Sequence, residues 1–390
     1  MKNIIMISAF VGDLRTAKSS RIYKIKRMFE SHGGNVRVVT SDFLHGGKKY
    51  KDYDMDENEI RLHVPSYKKN ISFGRIISHI VFAIKTFVYL KKFSEKIDAI
   101  YCSAPTSLAT FLVGKYAKKH NIFYIVDIID LWPDSLIPIY SNKFFEILMA
   151  PWRWVSRSGY KLASYISAES QKYAEMGHVW NQTAPYSYTY LGINSKLVSS
   201  LREKIVKTED CIRICYGGSL GLSYDFENIL LALKKLRDHG INYSFVFVGD
   251  GDRRDYIETF SKENNLNVKI TGRLNYNDFL LELLKSDIAL NSFKENTKVV
   301  HSYKFNDYVA THCFVINSLV GETADMIDKY KIGRNYQVCQ LPDVLVDVCE
   351  KWDFYKEWKK NNDLLIRDVL DEDVIYDRLF DRISLAYQQK

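Results

Sequence analysis

The sequence predicts an α/β protein with two successive parallel sheets, each covered by helices on both faces. Three observations predict it. Apolar runs of strand length alternate with amphipathic, helix-length segments along the chain. The alternation pauses over Tyr188–Ser200 and then restarts. The turns that follow the strands carry glycines and charges, as loops at the carboxyl edge of such sheets do. A length of 390 residues supplies material for two cores.

The first series opens on "NIIMIS" (Asn3–Ser8), a buried strand. Gly12 and Asp13 follow, then a helix from Thr16 to Ser31. Strands at "NVRVVT" and "DAIYCS" come next, then a helix from Thr106 to Lys119, then strands at "IFYIVDI" and "ASYISAES". After Gly192 the second series begins with "DCIRICYGGSLG", a strand that runs into a glycine-rich turn. A helix over Phe226–Asp238, the strand end "YSFVFVGDGD", the strand "VKITGR" and the strand "SDIALNS" follow, with helices between them. The helix "SYKFNDYVA" (Ser302–Ala310) and the strand "CFVINS" continue the series. These give two Rossmann-like domains, 1–195 and 196–390, with the option that the last helices cross back to the first.

Composition narrows the class. Charged residues are 26% and apolar residues 46%, a globular balance that excludes a disordered chain. The net charge of +8 fits a cytoplasmic protein that meets phosphates, nucleic acid or an anionic membrane face, and does not choose among them. The six cysteines contain no CxxC pair, so neither zinc nor a disulfide framework is indicated. The N-terminal apolar run is too short for a signal peptide. The longest apolar segment, Arg75–Lys92, is too polar to span a bilayer. Its basic flanks, Lys68, Lys69, Lys91 and Lys92, leave two roles: a helix packed on the sheet, or one lying on a membrane surface. "APWRWVSR", with Trp152 and Trp154, is a second aromatic-basic stretch.

The chemistry gathers at the strand ends. In "YGGSLG", Gly217, Gly218 and Ser219 let backbone N–H groups approach an anion at a helix start. "FVGDGDRRDY" carries Asp250 and Asp252, and Asp252 reads as a helix N-cap. "TGRLN" places Arg273 after a third strand, where a cation meets phosphate or stacks on a base. "SYKFNDYVA" sets Lys304 and Asp307 on one helix face, with Tyr308 expected to pack. A lysine for phosphate and a carboxylate for a ribose diol together describe a nucleotide site. In "DIIDLWPDS", Asp127 and Asp130 are expected to project from a strand end, and Trp132 offers a plate on which sugars stack. Pro133, Asp134 and Ser135 would begin the next helix. Asp130 is the candidate base for an acceptor hydroxyl.

The order of these motifs resembles the GT-B glycosyltransferases, specifically glycosyltransferase family 4 of the bacterial surface-polysaccharide type. "VDIIDLWPDSL" is similar to an Asp-Leu-Trp-Pro-acid signature, and "YLGIN" to an element at the domain junction. "YGGSLG", "VGDGDRR", "TGRL" and "YKFNDYVA" follow in the family order. The resemblance implies two Rossmann-like domains with parallel sheets facing across a cleft. It implies a nucleotide-sugar donor, UDP first, on the C-terminal domain, held by Gly12, Gly217, Gly218, Ser219, Arg273, Lys298 and Asp307. Lys304 would assist the departing diphosphate, and the acceptor would lie at Asp130 and Trp132. The acceptor class is a glycan or a polyprenyl-diphosphate-linked glycan in capsule, O-antigen or exopolysaccharide synthesis. Transfer would retain configuration, without metal or other cofactor and without nucleic acid, in the cytoplasm or peripherally on the inner membrane.

Two departures stand out. Of the family's two donor-site glutamates, the second falls at Asp307 and the first at Val299, with Glu295 nearby. The Lys-Gly pair after the glycine turn is replaced by "LSYDF". Two other functions compete. A catalytically inactive nucleotide-sugar-binding partner fits the valine at 299. A GT-B-shaped sugar-nucleotide 2-epimerase would need carboxylates and histidines around the sugar, and the nine histidines show no such grouping in the sequence.

Overall fold

The structure is a computed structural model that describes residues 1–15, 20–69, 72–134, 143–205, 211–295, 297 and 299–390, with backbone alone at 143–145 and 338. The chain divides into two compact units, Met1–Leu191 with Val374–Lys390, and Gly192–Asp373.

The first unit runs β1 (Asn3–Ile7), α1 (Arg21–Ser31), β2 (Asn35–Ser41), β3 (Phe43–Leu44), β4 (Lys49–Tyr50), β5 (Glu59–Leu62), α2 (Phe73–Lys92), β6 (Ala99–Ala104), α3 (Ser107–Lys119), β7 (Phe123–Ile128), α4 (Lys143–Lys161), β8 (Tyr165–Ala168), α5 (Gln171–Trp180) and β9 (Tyr186–Tyr188). Its seven-stranded sheet has the order β5-β2-β1-β6-β7-β8-β9, parallel throughout. The strands are apolar runs because both faces are covered. Ile5, Ile7 and Val126 pack on one side, Ile4, Met6 and Ile125 on the other. The small hairpin of β3 and β4 stands apart from this sheet.

The second unit continues with α6 (Ser195–Arg202), β10 (Ile212–Gly217), α7 (Phe226–Asp238), β11 (Tyr243–Val248), α8 (Arg254–Glu263), β12 (Val268–Ile270), α9 (Tyr276–Leu284), β13 (Ile288–Asn291), α10 (Tyr303–Ala310), β14 (Phe314–Asn317), α11 (Glu322–Tyr330), β15 (Gly333–Asn335), α12 (Leu341–Glu350), α13 (Trp352–Tyr355) and α14 (Asn362–Leu365). Its six-stranded parallel sheet has the order β12-β11-β10-β13-β14-β15. In both sheets the order reverses beside the first strand of the unit, which is where such folds open a crevice for ligand. The last helix, α15 (Glu372–Gln388), belongs to the first unit from Val374 onward. Its Ile375, Leu379 and Ile383 enter the same core as Ile4 and Met6.

Capping explains the main helix starts. Ser20, Ser72, Asp225 and Asn275 each accept a backbone N–H in the first turn of α1, α2, α7 and α9. Asp252 does not cap as expected. α8 begins at Arg254, and Asp250 instead accepts the N–H of Gly251. The glycine turn carries the chain one residue past Asp252 before the helix closes.

α2 corrects another expectation. It is long and apolar enough to cross a membrane. Its inward face nonetheless carries Arg75, Ser78, His79 and Thr86, packed with Phe82, Ala83 and Leu90 in the first unit. The outward face leaves Phe73, Ile77, Ile84 and Val88 exposed, and these lie within one arc of the helix.

Candidate functional site

In the second unit the expected residues converge at the carboxyl end of β10. Gly217 closes the strand, and a Cβ there would sit 2.8 Å from the Phe279 ring. Gly218 takes φ +127, a conformation open to glycine, and a Cβ on Gly249 would collide with the Gly218 carbonyl. The two turns therefore pass each other at backbone contact. Ser219 is exposed beyond them.

α10 lies beneath this turn. Tyr308 is fully buried and accepts the Gly217 N–H at 2.8 Å, so it packs and holds the turn. Lys304 reaches up beside it. Its Nζ stands 3.0 Å from the Tyr216 hydroxyl, and a Cβ on Gly218 would lie 3.9 Å from it. Three rings surround the ammonium: Tyr224 at 3.7 Å, Tyr216 at 4.2 Å and Phe293 at 4.7 Å to their centroids. Aromatic faces favour the cation. Burial opposes it and pulls the Lys304 pKa well below the ordinary lysine value. Tyr224 belongs to "LSYDF", just after the glycine turn, and forms one wall of the lysine box.

One turn on, Asp307 accepts a hydrogen bond from the Tyr276 hydroxyl at 2.8 Å. Tyr276 opens α9, and burial pushes its own pKa far up, with the Asp307 charge adding to the effect. Arg273 is exposed close by in sequence, after Gly272 at φ +73. Lys298 lies outside the described residues. A cavity of about 420 Å³ opens past β13 and β14, lined by Phe293, Glu295, Val299, Ser318 and Tyr336 among others. Glu295 and Val299 thus line one space, and Phe293 joins it to the Lys304 box.

In the first unit the expected residues part company. Asp127 does not project from the strand end. It lies within β7 at 0% exposure and pairs with Arg21 through two hydrogen bonds of 2.8 and 2.9 Å. Arg21 also donates to the carbonyls of Thr189 and Ala168. Burial works against the Arg21 charge, but Asp127 outweighs it and holds its pKa well above the usual value. The pair is a strut inside the sheet.

Trp132 is not an open plate either. Only 7% of it is exposed. The Arg75 guanidinium covers the ring at 4.9 Å, and His79 and Trp152 pack at 5.7 and 5.6 Å. Asp134 pairs with Arg153 and Arg157 on α4, and the helix expected to begin there, Ser135 included, lies outside the described residues. Asp130 is half-buried, and its charge acts on Arg75. Gly12 sits in the loop after β1, in the first unit.

Sequence reasoning missed a group here. Two of the histidines do gather: His45 and His79 both pack on Phe10, at 5.0 and 5.4 Å. Arg75 joins them, its Nε 3.4 Å from His79 Nε2. The sequence signal was the i, i+4 spacing of Arg75 and His79 on one helix face.

Residues 199–296, all in the second unit, match the family model for glycosyl transferases group 1. Protein CapJ of Staphylococcus aureus is 26% identical over 174 residues, which cover 44% of this chain and 42% of CapJ. The chain therefore spans less than half the length of that curated relative. Sucrose-phosphate synthase from Thermosynechococcus elongatus superposes with a TM-score of 0.72 at 14% identity, covering all of both chains. HepE of Anabaena in complex with UDP and glucose gives 0.69 at 12% identity, covering 99% and 100%. WaaG, a glycosyltransferase involved in lipopolysaccharide biosynthesis, gives 0.65 at 15% identity, covering 98% and 99%. At these identities the likeness establishes the fold, which is GT-B.

Proposed function

We propose that this chain, with a GT-B fold and a group 1 glycosyl transferase match in its second unit, is a glycosyltransferase. It moves a sugar from a nucleotide-sugar, UDP first, to a glycan carried on a lipid diphosphate during surface-polysaccharide assembly. The observation that carries this reading is the stack of Gly217–Gly218 on Lys304, with Asp307 one turn away, at the carboxyl end of β10. On this fold such a rim suits a nucleoside diphosphate; its glycine turn lies within the family model's match, and Lys304 and Asp307 follow after it. HepE, of like fold, has been solved in complex with UDP and glucose, which supports the same donor class.

The roles follow from the chemistry. Asp307, held by Tyr276, accepts the ribose hydroxyls. The Ser219 N–H at the tip of the glycine turn and the Lys304 ammonium take the diphosphate, since the N–H groups of Gly217, Gly218 and Leu220 bond to Tyr308, Val248 and Asp250. The sugar's anomeric carbon–oxygen bond breaks, and the nucleoside diphosphate leaves with the electron pair. The acceptor hydroxyl bonds to the same face of the anomeric carbon. Its proton passes to the departing phosphate oxygen. Preorganised positive charge at the leaving oxygens is the main catalytic contribution. Glu295, in the cavity beside the lysine box, takes over sugar contacts that valine at 299 lacks. The reaction needs no metal ion, and EDTA leaves it unchanged.

The enzyme works on the cytoplasmic face of the membrane. The outward stripe of α2 supports this, as do exposed Ile147, Leu148 and Trp154 on α4. α3 packs against both helices.

The test is a thermal-shift screen of the full chain against UDP-, GDP-, ADP- and CMP-sugars, followed by donor hydrolysis and transfer with cell lipid extract. One donor series raising the melting point, with turnover, is the expected result. Binding without turnover in any extract favours the inactive partner, and no binding at all overturns the proposal.

A further inference from the structure

At the carboxyl end of the first sheet, basic groups from two separate segments meet. His45 and Lys48 come from the loop between β3 and β4, and Arg75 and His79 from the first turns of α2. Lys48 Nζ stands 3.3 Å from His45 Nδ1, which also meets the Tyr67 hydroxyl at 2.5 Å. The Arg75 guanidinium lies between the rings of Phe10 and Trp132, at 5.6 and 4.9 Å. Arg75 and His79 are each more than nine-tenths buried or at that limit, at 9% and 3% exposure.

His79 is left with an unanswered donor. An arginine only donates, so His79 Nε2 accepts from Arg75 and the proton sits on Nδ1. That buried Nδ1 has no hydrogen-bond partner among the described residues. A buried polar group in this state calls for a ligand atom or water. The groups also oppose one another. Burial comes first and the neighbouring cations add to it, lowering His45 to about 4 and His79 to about 3. Lys48 and Arg75 fall below their ordinary values chiefly through burial, and Arg75 adds to the effect on Lys48. The acidic side chain that acts on Arg75 is Asp130. Next to this group the loop has room, because a Cβ on Gly46 would meet nothing within 4 Å.

A planar guanidinium, an ammonium and imidazole N–H donors around an open loop are the donor set that phosphoryl oxygens take. We propose that His45, Lys48, Arg75 and His79 hold a phosphoryl group of the acceptor, the diphosphate of a lipid-linked glycan. The inference rests on the glycosyltransferase reading for the word acceptor. The anion site itself does not depend on it.

The experiment is calorimetry of the full-length protein, saturated with UDP so that the second unit is occupied, titrated with geranyl diphosphate. Inorganic pyrophosphate, geraniol and phosphatidylglycerol vesicles are run beside it. Wild type binds both diphosphates and not geraniol. Lys48→Gln and Arg75→Gln each weaken that binding about tenfold or more, as loss of a charge-assisted bond does, while UDP affinity stays unchanged. Lys48→Gln, in a half-exposed loop, keeps the test open if Arg75→Gln does not fold. Equal binding by wild type and Lys48→Gln, or none by wild type with UDP binding intact, overturns the site. Vesicle binding that the variants abolish, without diphosphate binding, overturns the acceptor assignment and gives the group to a membrane phosphate. Failure of UDP to bind strikes the glycosyltransferase reading alone, since the diphosphate titration still reports on this cluster.

Discussion

Replacing Asp127 with alanine removes one partner of a buried ion pair and leaves the other. Arg21 is 7% exposed, and without Asp127 it keeps, among the described residues, only neutral acceptors, the carbonyls of Thr189 and Ala168 and the Ser167 hydroxyl. An orphaned buried charge costs about 3–5 kcal/mol. For a unit of this size each kcal/mol moves the melting temperature by about 2–4 °C, so the first unit's transition falls by roughly 6–20 °C. Differential scanning calorimetry of the full chain reads this shift. UDP binding in the second unit provides the control, since it is untouched. Removing both charges together, Arg21→Met with Asp127→Leu, recovers most of the loss, because neither partner then remains uncompensated. A fall of less than about 1 kcal/mol in Asp127→Ala, beyond which surface substitutions rarely reach, would refute the strut. A loss of turnover without loss of stability would return Asp127 to the chemistry.

The other expectations are briefer. Lys304→Met lowers kcat by about 100-fold or more in steady-state assays, as loss of a charge-stabilising donor does; near wild-type turnover moves the role elsewhere. Burial depresses the Lys304 pKa, so above that value the free protein must take up a proton to present an ammonium, and UDP affinity falls as pH rises; Lys304→Met flattens the profile. The same sign makes this lysine cost stability most at low pH, because the unfolded chain binds its proton more tightly, and the cost fades as pH climbs toward the ordinary lysine value. Asp307→Asn raises KM with kcat little changed, since a ribose grip serves ground and transition states alike, and Tyr276→Phe gives a weaker shift in the same direction. Charge reversal at Lys68, Lys69, Lys91 and Lys92, or serine at Phe73, Ile77, Ile84 and Val88, releases the protein from anionic vesicles at low salt while donor hydrolysis persists. Wild-type protein that stays in the supernatant defeats the membrane assignment.

The fold was legible wherever burial writes a continuous apolar run. β7, "FYIVDI", and β11, "YSFVFV", are sandwiched in parallel sheets and carry that mark. β9, "YSY", and β15, "GRN", sit at sheet edges, and β5, "EIRL", does too, so their composition says little. Local chemistry was also readable: the glycines at 217 and 218 and the lysine and aspartate of α10 meet where the topology puts strand ends. Contacts across sequence were not. Tyr276 reaches Asp307 over 31 positions, and Tyr224 boxes a lysine from the far end of another turn. Trp132 looked like an open ring because its cover, Arg75, comes from a helix that the sequence shows only as amphipathic. Asp127 looked like Asp130, one turn-length apart, but strand registry sends the first inward to Arg21.

The chain makes its first unit in two instalments. Ile375, Leu379 and Ile383 of α15 reach the core of Ile4 and Met6 only after the whole of Gly192–Asp373 has been made. At about 5–20 residues per second on the ribosome, that wait is of order ten to forty seconds. Over that interval the early strands stand with one flank uncovered, and at its end the later unit has all its own residues while the first still lacks α15. The order of birth is thus the reverse of the order of completion. A deletion or a bulky fusion near the carboxyl terminus would strike the half of the molecule that was translated first.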